Sequence, residues 1–408
     1  MNWRRKIRNF FAIAVILFAG ACGNPGKIKT PENPVPRNNQ AIGMIRDNNL
    51  LTPPDSERSN KKIIRIGLLV TRHPYGRDQS RSAWDGARLA IEEENENTGA
   101  GGTLFRLVVR SCDGPWGMGS KQTVNLTFLD SVSAILVSAD GRNSHLIEQV
   151  TAKTHVPVIS AWATEPSLTE AFVPWFFRCN PDDRCQAQAL INEIYNQNHD
   201  RRVVLIHSGD FDSRKSVIEF QKEAASKNLE KPDTMVIREP QSRFDEKAAE
   251  IIQLRPEAIV IFGDIDQSGT IVGRIRKSFP GMPVFANSWC SQAEGWSHSG
   301  TDQTHAVRMI SSGYWLREPG RKFITDYATK YGYSPGEAAA YAYDGMKMLI
   351  LALKKAGPES QKLWKTLASM EFPGGVTGPM KFDIHGNRVR PAELQACFPD
   401  SLAVKTVK

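Results

Sequence analysis

The chain runs to 408 residues, 40% hydrophobic and 24% charged, which is enough apolar material for a sizeable core and enough length for two domains. That balance excludes a disordered chain, a disulfide-stapled miniprotein and a polytopic membrane protein. The formal charge of +8 raises nucleic acid or a membrane surface as a partner, and its distribution removes the first. The first 21 residues hold four basic and no acidic side chains, residues 22–62 hold seven basic and four acidic, and from Ile63 onward 41 basic residues face 40 acidic ones.

Arg4, Arg5, Lys6 and Arg8 precede an apolar run from Phe10 to Phe18 that closes on small residues, the pattern of a secretion signal over 1–21. The run is far shorter than the roughly 20 residues a helix needs to span hydrocarbon. Ala19-Gly20-Ala21-Cys22 resembles a bacterial lipobox, with Ala19 where Leu is usual. The resemblance implies that Cys22 becomes the acylated first residue, and several acyl chains give stable anchoring where one is marginal. Residues 22–62 mix Pro25, Pro31, Pro34, Pro36, Pro53 and Pro54 with polar residues and read as a solvated tether. The expectation is an exported protein, lipid-anchored to the cell envelope on the periplasmic face of a membrane or the outer cell surface.

From Ile63, short β-branched runs alternate with longer mixed segments. Strands are expected over 63–70, 104–110, 133–138, 156–161, 202–207, 234–238, 258–263 and 283–286, with helices over 79–94, 213–226, 244–254 and 268–279 between them. Repeated strand, helix, strand order argues for an α/β fold of parallel sheets flanked by helices. The array occurs twice, punctuated by Asn180-Pro-Asp-Asp183, so two Rossmann-like lobes are the simplest architecture, with a ligand in the cleft beyond the carboxyl ends of the strands. The long apolar stretch 336–356 contains Asp344 and Lys347 and ends on Lys354-Lys355 before Gly357, which reads as a core helix and not a membrane span.

Motifs for chemistry are missing. Thr98-Gly-Ala-Gly-Gly102 lies after a helix and before a strand, the wrong order for a dinucleotide loop. The sequence contains no Cys-x-x-Cys, His-Glu-x-x-His or Gly-x-Ser-x-Gly, so no metal, cofactor or enzyme reading has local support. Cys179 and Cys185 flank the Asn-Pro-Asp-Asp turn, and either a disulfide in an oxidising compartment or a pair of half-buried thiols fits that spacing.

Several stretches, in order, resemble the leucine/isoleucine/valine-binding, type I periplasmic binding proteins. They are Ile66-Gly-Leu-Leu-Val70 with Asp85-Gly-Ala-Arg-Leu-Ala-Ile-Glu-Glu-Glu-Asn95, Val156-Pro-Val-Ile-Ser-Ala-Trp-Ala-Thr-Glu-Pro-Ser-Leu-Thr169, Phe177-Arg-Cys-Asn-Pro181, Lys330-Tyr-Gly-Tyr-Ser-Pro335, Tyr341-Ala-Tyr-Asp-Gly345 and Val376-Thr-Gly-Pro-Met-Lys-Phe-Asp383. The resemblance implies two lobes joined by a three-stranded hinge: 63–182 plus 313–375, and 183–312 plus 376–408. It also implies a clamshell, not an enzyme, that closes on a small polar ligand such as an amino acid or amide and delivers it to an ABC permease. The same fold serves regulators of cell-wall synthesis enzymes and sensory subunits, which remain as alternatives.

Carried onto this chain, the signature places Trp162, Ala163 and Thr164 at the ligand, with Thr164 either a carboxylate ligand or the N-cap of the helix that follows. The helix-start Ser of amino-acid binders falls on Gly141, leaving backbone N–H groups and the nearby Asn143 or Ser144. The second lobe's aromatic falls near Phe211, and its ammonium-neutralising acid near Trp289, with Asp264 or Asp266 as substitutes. The first loop, with Tyr75 between Arg72 and Arg77, is more basic and aromatic than usual. These departures favour an anionic or aromatic ligand at least as much as an α-amino acid.

Overall fold

The computed structural model describes residues 62–71, 77–98, 102–238, 240–263, 265–290, 307–312, 320–389 and 394–397. The signal, the lipobox Cys22, the tether, Tyr75 and Asp264 lie outside them. The apolar run Ile63–Val70 forms β1, buried at all but two positions, as a strand covered by helices on both faces must be. It is joined by β2 (Leu104–Ser111), β3 (Ala134–Ser138), β4 (Val158–Ser160) and β5 (Phe176–Arg178), all parallel, in the order β2-β1-β3-β4-β5. Helices α1 (Arg77–Glu96), α2 (Met118–Phe128), α3 (Gly141–Thr154) and the short α4 (Ser167–Glu170) follow β1 to β4 in turn.

The second sheet contains β6 (Val203–His207), β7 (Asp233–Val236), β8 (Ala258–Phe262), β9 (Val284–Ala286) and β10 (Val307–Ile310), again parallel, with β11 (Leu394–Cys397) added antiparallel at the edge beside β10. Its helices are α5 (Asp183–Tyr195), α6 (Phe211–Ser226), α7 (Phe244–Gln253) and α8 (Ile265–Ser278). The chain then returns to the first lobe for α9 (Gly320–Tyr331), α10 (Glu337–Ala356) and α11 (Ser360–Ser369). The fold is thus two parallel α/β lobes, and the described elements alternate between them: β1 to β5 in the first, β6 to β10 in the second, α9 to α11 in the first and β11 in the second. The alternation pattern misses β5, β10 and β11, strands of three or four residues that show no period; β4 and β9 are as short and are found because each lies in a longer apolar stretch.

The α10 helix is the core piece its composition suggests: Met346, Leu349, Ile350 and Leu353 are buried among Ile66, Leu68, Leu136 and Ile159 of the first sheet. It runs so close to α1 that a Cβ on Gly86 would stand 2.3 Å from the Ala339 carbonyl oxygen. Only glycine permits that approach.

Two expectations are corrected at the hinge. Residues from Val376 to Val389 do not enter the second lobe: Met380 and Phe382 pack in the first lobe's core, and the Arg178 amide donates to the Gly386 carbonyl at 2.8 Å. Among the described residues after Val376, only β11 reaches the second sheet. Cys179 and Cys185 are both free thiols. The Cys179 thiol turns toward the Tyr341 carbonyl, 3.7 Å away in the first core, whereas Cys185 sits in the first turn of α5 with its amide on Asp182. The intervening turn sends them to different lobes, and burial pushes each thiol up to about 12.

Candidate functional site

Sheet order reverses between β1 and β3 in the first lobe and between β6 and β8 in the second. At each reversal two crossovers leave in opposite directions and open a crevice at the carboxyl edge. The helix leaving β3 is α3 and the helix leaving β6 is α6, so both crevices present a helix N-terminus with its free N–H groups and partial positive charge. Each start is capped by an aspartate: Asp140 accepts from the Asn143 amide, and Asp210 from the Ser213 amide, both at 2.9 Å.

The two N-termini meet. The Gly141 amide of α3 donates across the cleft to the Asp212 carboxylate of α6, at 3.0 and 3.3 Å to its two oxygens. Asp212 is 5% exposed. Burial raises its pKa well above the usual carboxylate range, and Asp140, Asp210 and Asp183 add to the shift against the opposing Gly141 hydrogen bond. Above this contact, Arg142 of α3 and Lys215 of α6 both lie 5.5 Å from the centre of the Phe211 ring, a cation–π arrangement that spans the lobes.

A second bridge lies beside the first. Trp289, in a 3-10 turn after β9, donates its indole N–H to the Thr164 hydroxyl at 3.1 Å and meets Trp162 edge-on, ring centres 5.3 Å apart. The Thr164 carbonyl accepts from the Asp183 amide at 2.8 Å, and Asp183 in turn accepts from Ser216 of α6. Burial lifts the Asp183 carboxyl to about 7. Thr164 is not the N-cap of the following helix: α4 begins only at Ser167, behind Pro166.

The sequence-derived residues therefore divide. Gly141, Trp162, Thr164, Phe211 and Trp289 converge on the lobe interface. Asn143 instead closes the Asp140 cap with both its amide and its side chain. Ser144 is fully buried and turns back to the Ala139 carbonyl, and Ala163 belongs to the first lobe's core. Asp266 lies within α8. Sequence reasoning missed Asp212, Asp183, Ser216 and Lys215. The stretch Gly209-Asp-Phe-Asp-Ser213 advertises a helix start through its aspartates, but nothing local says that the second of them crosses to another lobe.

At the rim, His145 of α3 lies 2.6 Å from Glu165 and 3.3 Å from Glu148, while Ser167 donates to Glu165 at 2.5 Å and Lys215 of the other lobe stands 3.4 Å from it. Burial alone would depress His145, but its bonds to Glu148 and Glu165 hold it up at about 9. Burial would likewise raise Glu165, but His145, Ser167 and Lys215 hold it down at about 2. Ser167 donates to Glu165 and its Oγ also stands 3.2 Å from His145 Nε2; with His145 held up and Glu165 held down, the cluster reads as an ion-pair clamp that Lys215 extends to the other lobe. A histidine with a raised folded pKa contributes its full stability below pH 6.5 and loses it as the pH rises through about 9. The melting temperature is expected to fall over that alkaline window in the parent, and the fall to shrink in His145→Gln, followed by circular dichroism. An unchanged profile in the variant would remove His145 from the clamp.

Comparison with known proteins points one way. The family model described as periplasmic binding protein matches residues 63–393. Among solved structures, the substrate binding protein LivJ of a branched-chain amino acid transporter from Streptococcus pneumoniae, in complex with isoleucine, superposes with a TM-score of 0.72 at 23% identity, covering 83% of this chain and 97% of that one. The leucine binding protein LivK from Thermotoga maritima gives 0.70 at 18% identity, covering 82% and 95%. An ABC transporter solute binding protein from R. palustris, in complex with benzoate, gives 0.69 at 16% identity, covering 82% and 93%. Glutamate receptor 3.4 of Arabidopsis thaliana is 22% identical over 380 residues, 82% of this chain but 39% of the receptor, so the chain spans well under half the length of that relative.

Proposed function

Because the chain belongs to the type I periplasmic binding proteins, in the leucine/isoleucine/valine-binding family, we propose that it is an extracytoplasmic, lipid-anchored solute receptor that hands a small polar or aromatic molecule to an ABC permease. The observation that carries this reading is the meeting of two topological switch points, each with a helix N-terminus, beside the Trp162 and Trp289 rings. Helix starts offer N–H groups to polar atoms, and the indoles offer a flat apolar face that orients an aromatic or aliphatic body. Lobe closure is then favoured only by contacts that a solute makes to both lobes. Cys22 would supply the membrane attachment and residues 22–62 the reach to a permease.

A second reading, a regulator of a cell-wall synthesis enzyme, is favoured by one feature: Trp289 and Asp212 already bridge the lobes with the chain's own groups. A thermal-shift screen of the full chain against amino acids, amides, short peptides, aromatic acids and nucleobases separates the two. A cleft solute at 100 times its Kd should stabilise the protein by about 2.7 kcal/mol. If none of them raises the melting temperature while the full chain captures a wall-synthesis enzyme, the solute-receptor reading fails.

A further inference from the structure

We infer that Asp212 is an internal carboxylate that occupies the cleft's own anion subsite, ties the two lobes together and sets the specificity of the site against solutes whose carboxylate needs the same amide. The inference deepens the receptor reading and rests on it only for the specificity clause. The N-terminus of α3 lies at the switch point of the first sheet, where backbone N–H groups and the helix dipole make a ready seat for a carboxylate. The group that the Gly141 amide meets there is a carboxylate, and it comes from the opposite lobe. The neighbouring amide of Asn143 is already taken by Asp140, and the Gly141 N–H is a donor for which a solute carboxylate would compete with Asp212.

The fit is specific in shape. A Cβ placed on Gly141 would stand 2.4 Å from an Asp212 oxygen, 3.3 Å from the Phe211 ring and 3.4 Å from the Glu165 Cβ. Glycine at the helix start is therefore what admits the carboxylate of the other lobe, and Gly141 and Asp212 act as a complementary pair. Position strengthens the contact as well. Asp212 lies in the first turn of α6 while reaching the first turn of α3, so the positive ends of two helices offset part of the burial and like-charge cost that raises its pKa. Phe211, with Arg142 and Lys215 each 5.5 Å from its ring centre, borders the contact, and the two cations bring positive charge to the side from which a solute carboxylate would replace Asp212. Isoleucine and benzoate, the molecules named with two of the structural relatives, are both carboxylates, and each would have to displace Asp212 to reach the Gly141 amide.

Two substitutions test this from opposite lobes. Asp212→Ala removes the occupant, and Gly141→Ala expels it by steric conflict while strengthening the helix start, alanine being the better helix former. Both variants of the full chain, checked for a cooperative melt, are expected to show a larger radius of gyration than the parent in small-angle X-ray scattering. In calorimetric titration with isoleucine and with sodium benzoate, Asp212→Ala is expected to bind at least one of them roughly tenfold or more tightly than the parent, a difference equivalent to about 1.4 kcal/mol. An unchanged radius in both folded variants overturns the tie between the lobes, and equal affinity of parent and Asp212→Ala for a carboxylate that binds both overturns the specificity role. If the variants open but neither they nor the parent respond to any solute, the internal carboxylate stands and the receptor reading is the one that fails.

Discussion

Replacing Arg178 with alanine is expected to lower the free energy of unfolding by about 3–5 kcal/mol, the cost of breaking a buried charged network by removing one partner. Arg178 is fully buried at the end of β5. Its guanidinium donates to the Glu165 carbonyl at 2.7 Å, to the Thr169 hydroxyl at 2.8 Å and twice to the Asn387 side chain, at 2.6 and 3.1 Å, with Asp182 3.8 Å away. Truncation removes this donor from all of them at once and leaves the Glu165 carbonyl with only the long Leu168 amide contact and Asn387 with only the Thr169 hydroxyl. Because Asn387 lies on the returning segment, the loss should also loosen its packing on β5. A urea titration of parent and variant measures the effect, and a loss under about 1 kcal/mol, the scale of a single ordinary hydrogen bond, would show that the network is solvated and contributes little. Arg178→Lys, which keeps the charge but not the planar fork, should recover only part of it.

The second large effect is expected at Asp344, inside α10 and fully buried. It accepts from the amides of Val376 and Thr377, at 2.8 and 2.7 Å, and from the Thr377 hydroxyl. Two backbone N–H groups of a buried turn thus depend on one carboxylate. Asp344→Ala leaves both unpaired at about 1–3 kcal/mol each, and about 3 kcal/mol in total is expected after partial relaxation. Amide hydrogen exchange should quicken first at Val376 and Thr377. Asp344→Asn retains one acceptor oxygen and should lose less. Equal exchange rates in parent and Asp344→Ala would mean that the turn is held by its other contacts.

These two residues show where the sequence is readable. Asp344 and Thr377 sit in stretches that resemble the family, Tyr341 to Gly345 and Val376 to Asp383, and the resemblance reflects a packing contract between a helix and a turn, not contact with a ligand. Gly86 and Arg178 are of the same kind. The parallel sheets were legible because their inner strands β3, β6 and β8 are buried on both faces, which writes continuous apolar runs into the chain. The site was less legible. Trp162, Thr164, Gly141, Phe211 and Trp289 could be placed by correspondence, but their partners could not, since Asp212 to Gly141 and Trp289 to Thr164 are pairings between lobes and each partner has an ordinary local role. Asp212 reads as one more acidic residue in a helix's first turn, where acids are common. For Asn143 and Ser144 the local bonds were the illegible part: the Asn143 side-chain N–H is engaged by Asp140 and the Ser144 hydroxyl by the Ala139 carbonyl.

The placement of α10 has a consequence for the order of assembly. The first core needs residues from β1 through β5 and, after β6 to β10 of the second lobe have been made, Tyr341, Met346, Leu349 and Leu353 from α10. The second lobe's strands β6 to β10 are contiguous in sequence apart from the helices between them, and only the edge strand β11 arrives late. A chain emerging N-terminus first therefore offers a first lobe with one face of its sheet covered only by α1 until the second has passed, and then closes it with the helix that Gly86 allows to seat against α1. Exposed apolar sheet of that kind invites aggregation. Folding helpers at the site of emergence should engage residues 63–178 for as long as α10 is missing, and release them when it docks.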